Sequence, residues 1–280
     1  MEVIKMKFVT LSNGVKMPQL GYGVYQVSKE ECERCVLDAL SVGYRHIDTA
    51  QSYFNEEQVG NVIEKSGVAR EDIFLTSKVW IEHYGYDACK KSVIESLKKL
   101  KTNYIDLMLL HQPFNDYYSA WRALEDLYAE GVIRAIGVSN FYPDRLIDLC
   151  SFSRIKPMVN QVETHPYNQQ IEAQGWMKKY GVQIEAWAPF GEGRGGLFTD
   201  PVISEITKKY NKTTAQVILR WELQRGIVVI PKSVHKERIE QNIDVFDFKL
   251  DSADMKKWRN WTKRQVRSSR IPIPTWWNGL

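Results

Sequence analysis

An aspartate, a tyrosine, a lysine and a histidine, at positions 48, 53, 78 and 111 of a 280-residue chain, are residue types that could move a proton together. The first two lie in Gly43-Tyr44-Arg45-His46-Ile47-Asp48-Thr49-Ala50-Gln51-Ser52-Tyr53. This stretch begins as a buried strand after a helix-closing glycine and ends in an acid. A carboxylate at the end of a buried strand is costly unless something nearby pairs with it. A free phenol has a pKa near ~10, too high to trade protons well at neutral pH. A buried Lys78 ammonium beside Tyr53 is expected to favour the phenolate and lower that value. A lowering of about two to three units needs roughly 3–4 kcal/mol, at about 1.4 kcal/mol per unit. Asp48 would keep Lys78 charged and aimed, and His111 would hold a substrate oxygen. The set is a general acid for a carbonyl that is receiving a hydride.

Residues so far apart in sequence meet only if the fold gathers the ends of several strands. Residues 7–11 and 15–18 flank Asn13-Gly14, a strong hairpin turn signal. Strands are then expected at Leu20-Gly21, around Ile47, and over 73–78, 105–110, 133–138, 158–162, 183–187 and 227–230. Helices fill the gaps. Ser28-x-x-Glu31 reads as a capping box opening a helix through Val42, and Thr213 as the cap of one over 215–224. The others are expected over 55–67, 87–100, 117–130, 143–150, 170–180, 202–210, 236–242 and 251–261. Near-continuously apolar strands are buried on both faces and hence parallel. Eight strand–helix units in this length predict a closed (β/α)8 barrel of the TIM type rather than an open doubly wound sheet. No composition break marks a second domain. The chain reads as one domain over 1–280, with an N-terminal hairpin (1–18) and a C-terminal tail (264–280).

In such barrels the site lies where the strands end. The expected ends are Gly23, Asp48, Lys78, His111, Ser139, Asn140, Gln161, Trp187 and Lys232. Their joint placement on one face is hard to produce by chance. Other features read as structural. Gly21-Tyr22-Gly23 is not a dinucleotide fingerprint, because Gln26 stands where the third glycine belongs, and it suggests close backbone approach instead. Gln161-x-Glu163-x-His165 reads as polar contacts rather than a metal site. Cys32-Glu33-Arg34-Cys35 lies inside a helical pattern without a second pair. The loop Gly191 to Gly196 is placed to contact a cofactor.

Composition excludes other classes. The chain is 44% hydrophobic with a formal net charge of +4. Its basic residues are dispersed apart from Arg264, Arg267 and Arg270, read as a solvated tail, so no nucleic-acid partner is expected. With no secretory leader pattern and no apolar run near ~18 residues, the expectation is a cytoplasmic protein that does not engage membranes. Cysteines at 32, 35, 89 and 150 do not make a disulfide framework.

The sequence resembles the aldo-keto reductases from about Phe8 to Trp261. Three stretches carry the resemblance: Gly43 to Ala50 with Tyr53, Ile136-Gly137-Val138-Ser139-Asn140-Phe141, and Ile230-Pro231-Lys232-Ser233 continuing to Arg238 and Asn242. It is most similar to bacterial members that reduce small dicarbonyls and sugar-derived ketones, and to the prostaglandin F synthase type. The resemblance implies an NADPH-dependent carbonyl reductase, expected to be a monomer acting on a small carbonyl substrate. It places the tetrad on Asp48, Tyr53, Lys78 and His111, with Tyr53 the proton donor. It implies cofactor contacts at Gly23, Val24, Asp48, Ser139, Asn140, Gln161, Trp187, Ala188, Phe190, Gly191, Glu192, Lys232, Ser233, Val234, Arg238, Gln241 and Asn242. Within that set Trp187 would stack on the nicotinamide, and Ser139, Asn140 and Gln161 would bond its amide. Lys232, Ser233 and Arg238 would hold the 2′-phosphate, which suits charge-assisted hydrogen bonds. Tyr25, Trp80 and His111 would line the substrate pocket. Gln112-Pro113 and the tail 271–280, with Trp276 and Trp277, depart from the family pattern.

Overall fold

In a computed structural model describing residues 6–258, eight parallel strands follow one another around a barrel. They are β3 (Tyr22–Gly23), β4 (His46–Asp48), β5 (Phe74–Val79), β6 (Leu107–Leu110), β7 (Ile136–Ser139), β8 (Val159–Glu163), β9 (Gln183–Trp187) and β10 (Val228–Val229). The ring closes where Leu20 bridges Val229 and the Gly21 N–H donates to the Val229 carbonyl at 2.8 Å. β4 to β8 are buried at every position, as strands covered on both faces must be. The expected barrel is therefore observed.

Ahead of it, β1 (Phe8–Thr10) and β2 (Lys16–Pro18) pair antiparallel around Asn13-Gly14, with Gly14 at φ +87°. Asn13 donates to the Arg134 carbonyl just before β7, which ties the hairpin to the N-terminal mouth. A cavity of about 860 Å³ opens there, between the hairpin and Arg45, Asp106 and Arg134. Asp106 is held by Arg70 at 2.8 Å and Arg134 at 3.0 Å, so it offers no free acid at that mouth.

The outer layer is α1 (Lys29–Ser41), α2 (Glu56–Lys65), α3 (Tyr86–Lys99), α4 (Tyr117–Ala129), α5 (Pro143–Phe152), α6 (Ile171–Tyr180), α7 (Pro201–Tyr210), α8 (Thr214–Gln224), α9 (Lys236–Ile243) and α10 (Ser252–Lys257). The complete capping box is at Thr213 and Gln216, where side chain and backbone bond reciprocally. At Ser28 only half of one forms: the Ser28 hydroxyl accepts from the Glu31 N–H, while the Glu31 carboxylate turns to Arg34. Of the expected helix 251–261, α10 covers Ser252–Lys257; its last three positions and the tail 264–280 lie outside the described residues.

Backbone crowding explains two glycines. At Gly23 a Cβ would sit 3.1 Å from the Ile230 carbonyl oxygen, the close approach expected of Gly21-Tyr22-Gly23. At Gly60, inside α2, a Cβ would lie 2.2 Å from the Lys99 carbonyl oxygen and 2.8 Å from the Leu100 Cα, both backbone atoms. Alanine gains about 1 kcal/mol over glycine in an open helix. Here the overpacking cost, about 1–3 kcal/mol and at its upper end against rigid backbone, outweighs that gain. Gly60→Ala is expected to lower the urea midpoint; a raised midpoint would show that α2 can slide off the end of α3.

Candidate active site

Asp48 ends β4, and its neighbour strand β5 presents Lys78 two positions past the pair Asp48–Thr76 in register, on the same face as Thr76. Both side chains are buried; the Lys78 Nζ lies 2.6 Å from Asp48 Oδ1, 3.0 Å from the Thr49 carbonyl and 3.3 Å from the Tyr53 hydroxyl. Tyr53 hangs from a single 3-10 turn, Gln51–Tyr53, that leaves β4. Its ring meets His111 edge-on at 5.6 Å and Tyr25 at 5.0 Å. Trp80 packs edge-on against the far side of His111 at 5.2 Å. All four proton-handling candidates and both proposed pocket residues thus converge.

The electrostatics differ from the sequence expectation in one respect. Burial pushes the Tyr53 phenol up to about 12; Lys78 works in the opposite direction and does not win. The expected lowering is not observed, because the pocket that brings the ammonium close also removes water from the phenolate. For Lys78, burial opposes the charge, but Asp48, Tyr53 and Glu185 together raise its pKa above the ordinary lysine value. Burial first, and Lys78 second, push His111 well below the usual imidazole range, so it is neutral. The Ser52 hydroxyl lies 3.3 Å from His111 Nδ1. A hydroxyl donating to Nδ1 puts the ring proton on Nε2, the tautomer that can donate to a substrate oxygen.

Next to this cluster, Ser139 donates to the Gln161 carbonyl, and Asn140, at φ 64°, donates to the His111 carbonyl. The Trp187 indole N–H donates to Asn140 Oδ1 at 2.9 Å, which fixes the ring. Gln161 gives its amide hydrogens to Asp48 at 2.8 Å and Glu185 at 2.9 Å, leaving Oε1 without a protein donor among the described residues. Val24 is fully buried beside Gly23, its N–H bonded to the Asp48 carbonyl. From Trp187 the chain runs through Ala188 (φ 48°), Phe190, Gly191 (φ 56°) and Glu192 (φ 56°) in a rim loop. A Cβ on Gly191 would stand 3.7 Å from the His165 ring, whose Nε2 is 3.1 Å from Glu163; that pair is a structural support, as the spacing suggested.

After β10, Lys232 and Arg238 are exposed and neither pairs with an acid among the described residues. Ser233 and Asn242 are buried and Gln241 is exposed. Two residues that sequence reasoning missed brace this segment: the Tyr22 hydroxyl donates to the Ser233 carbonyl, and Arg34 donates to the Val234 carbonyl at 3.1 Å. Asn55 was expected only to start α2, yet it is buried, donates to the Val24 and Val27 carbonyls, and accepts from Thr49. It holds the loop carrying Tyr25 against the turn carrying Tyr53. Its position after an aromatic in a polar loop was the available signal. Trp276 and Trp277 lie outside the described residues.

Comparison with known proteins agrees with this geometry. A family model described as aldo/keto reductase family matches residues 11–263. Glyoxal reductase of Bacillus subtilis (strain 168) is 50% identical over 251 residues, covering 89% of this chain and 90% of that protein. A crystal structure of an aldo/keto reductase from Brucella melitensis matches with a TM-score of 0.89 at 44% identity, over 92% of this chain and 100% of that chain. The Bombyx mori aldo-keto reductase in complex with NADP matches with a TM-score of 0.88 at 35% identity, over 93% and 94%.

Proposed function

The chain belongs to the aldo/keto reductase family, and on that premise we propose that it reduces small aldehydes and dicarbonyls to alcohols using NADPH, with Tyr53 as the acid. One observation carries the reading: the buried Lys78 ammonium stands between the Asp48 carboxylate and the Tyr53 hydroxyl, at 2.6 and 3.3 Å, with neutral His111 on the open side. When bound, NADPH supplies the hydride. Tyr53 donates its proton to the carbonyl oxygen as negative charge grows there. His111 Nε2–H holds that oxygen, and Lys78 stabilises the phenolate that Tyr53 leaves behind. Asp48 keeps Lys78 charged and pointed at the phenol. Trp187, locked by Asn140, offers a flat face beside this cluster, and Gln161 Oε1 is available to accept from a carboxamide.

The residues suit this cofactor's phosphorylated end as well. Exposed Lys232 and Arg238, with no acid partner among the described residues, are free to meet a dianion. Each charge-assisted bond to phosphate is worth about 1.5–3 kcal/mol. Arg238→Ala is therefore expected to raise KM for NADPH roughly tenfold or more, while leaving NADH nearly unaffected. Equal use of both cofactors by the unaltered protein would place the phosphate elsewhere.

The activity itself is tested by mixing protein, NADPH and a panel of glyoxal, methylglyoxal and phenylglyoxal, and following loss of the reduced nicotinamide band. Turnover of at least one dicarbonyl is expected. No turnover across the panel, with NADPH binding intact, would overturn the reading in favour of a non-catalytic nucleotide-binding role.

A further inference from the structure

Beneath the tetrad, inside the barrel, lies a second acid that the proton transfer does not use. Glu185 on β9 is fully buried, and its register partner on β8 is Gln161. The Gln161 amide donates to Asp48 Oδ2 at 2.8 Å and to Glu185 Oε2 at 2.9 Å, so one planar group joins the two carboxyls. The other Glu185 oxygen, Oε1, has no hydrogen-bond partner among the described residues and faces His46 Nε2 at 3.7 Å. That nitrogen is already engaged with Thr76 Oγ1 at 3.1 Å. Titratable groups face Glu185 from two strands: His46 and Asp48 from β4, and Lys78 from β5. From β8 it meets the uncharged Gln161, and its register partner on β10 is the apolar Val228. His46 brings no compensating charge, because burial and then Lys78 push its pKa down to about 3.

An ionised Glu185 would be a buried charge with one oxygen lacking any donor, an arrangement that costs several kcal/mol. A proton on that oxygen removes the buried charge, the larger part of the cost. Glu185 Oε2, together with Asp48 Oδ2, accepts from the Gln161 amide nitrogen and so fixes which way the amide points, with its Oε1 turned away from the two acids.

We infer that Glu185 is a positioning residue of the active site, a buried carboxylic acid that orients Gln161 and, by keeping or losing its proton, sets the charge against which Lys78 and Asp48 act on Tyr53. This rests on the proposed role of Tyr53. The sign follows from Coulomb interaction: a negative Glu185 disfavours the Tyr53 phenolate and makes the phenol a weaker acid. Burial, with Asp48 adding to it, lifts the Glu185 pKa to about 8, so the change falls within reach of enzyme assays.

Two measurements test it on the full-length protein. In the first, kcat for dicarbonyl reduction at saturating NADPH is followed from pH 6 to 10 for the parent and for Glu185→Gln. The parent is expected to lose several-fold in rate with a midpoint near 8, and Glu185→Gln to stay flat through that range. Superimposable profiles would overturn the inference. In the second, infrared difference spectra of the protein without cofactor compare parent and variant. A protonated-carboxyl band present in the parent at pH 7, absent in Glu185→Gln and lost as pH passes about 8 is expected. Absence of a band that the substitution removes would overturn the inference whatever the activity. If the protein reduces no carbonyl at all, the spectra still report on Glu185, so failure of the functional reading and failure of this one are distinguishable. Should Glu185→Gln not fold, Glu185→Met, equally unable to titrate, gives the same subtraction.

Discussion

Replacing Tyr53 with phenylalanine is expected to cut kcat for carbonyl reduction by about 10²- to 10⁴-fold, the usual contribution of a general acid, with NADPH affinity nearly unchanged. The hydroxyl is the only atom removed. The ring keeps its contacts with Tyr25 and His111, so the pocket keeps its shape. The loss falls on kcat because the hydroxyl is needed only when charge develops on the substrate oxygen. With its pKa pushed up to about 12, the phenol is protonated throughout the neutral range. Reduction therefore does not lack its acid at any pH up to the alkaline limit. Alcohol oxidation needs the phenolate and should quicken as pH rises. Stopped-flow and steady-state rates in both directions, with a fluorescence titration of NADPH, check these points. Wild-type kcat in Tyr53→Phe would remove Tyr53 from the mechanism and leave His111 as the candidate acid.

Much of this site is legible in the sequence alone. A parallel barrel gathers strand ends on one face, so identifying the strands was enough to group Asp48, Lys78, His111, Asn140, Gln161 and Trp187. Short, near-continuous apolar runs and glycine stops place those strands within a few residues. What escaped were quantities that depend on register and on solvent. Glu185 reads in sequence as one polar residue in the strand Gln-Ile-Glu-Ala-Trp. Only the β8–β9 pairing puts it beside Gln161, and only the barrel's closure puts His46 across from it. Asn55 and Tyr22 act through main-chain carbonyls far along the chain, contacts that no local pattern encodes. The Tyr53 shift has the opposite sign to the expectation because two effects of one pocket compete. Proximity of Lys78 could be inferred from sequence, but the depth of burial could not.

The Lys78–Asp48 ion pair makes the other large effect a matter of stability. Both groups are buried, and Lys78 is fully out of water. Removing one partner of such a pair leaves an uncompensated charge, which typically costs about 3–5 kcal/mol. Asp48→Asn is expected near the lower end, since the new amide oxygen still accepts from Lys78. Lys78→Met strands Asp48 with Gln161 as its remaining side-chain donor. The double variant removes both charges and should lose much less than the sum of the two, a coupling that a double-mutant cycle measures directly. A pH series sharpens the test. In the parent the Lys78 pKa is raised in the folded state, so its contribution is complete below the unfolded value of about 10.4 and is lost as pH rises through the folded one. In Asp48→Asn the largest charge opposing burial is gone, so burial dominates and the folded pKa falls below the unfolded one. The penalty is then present at neutral pH and is relieved as pH climbs toward about 10.4. The gap in urea midpoint between variant and parent should therefore narrow between pH 7 and pH 10. A constant gap would mean that Lys78 keeps its proton up to pH 10 or reaches water once Asp48 is gone, and additive losses in the cycle would mean that the pair acts as two independent groups.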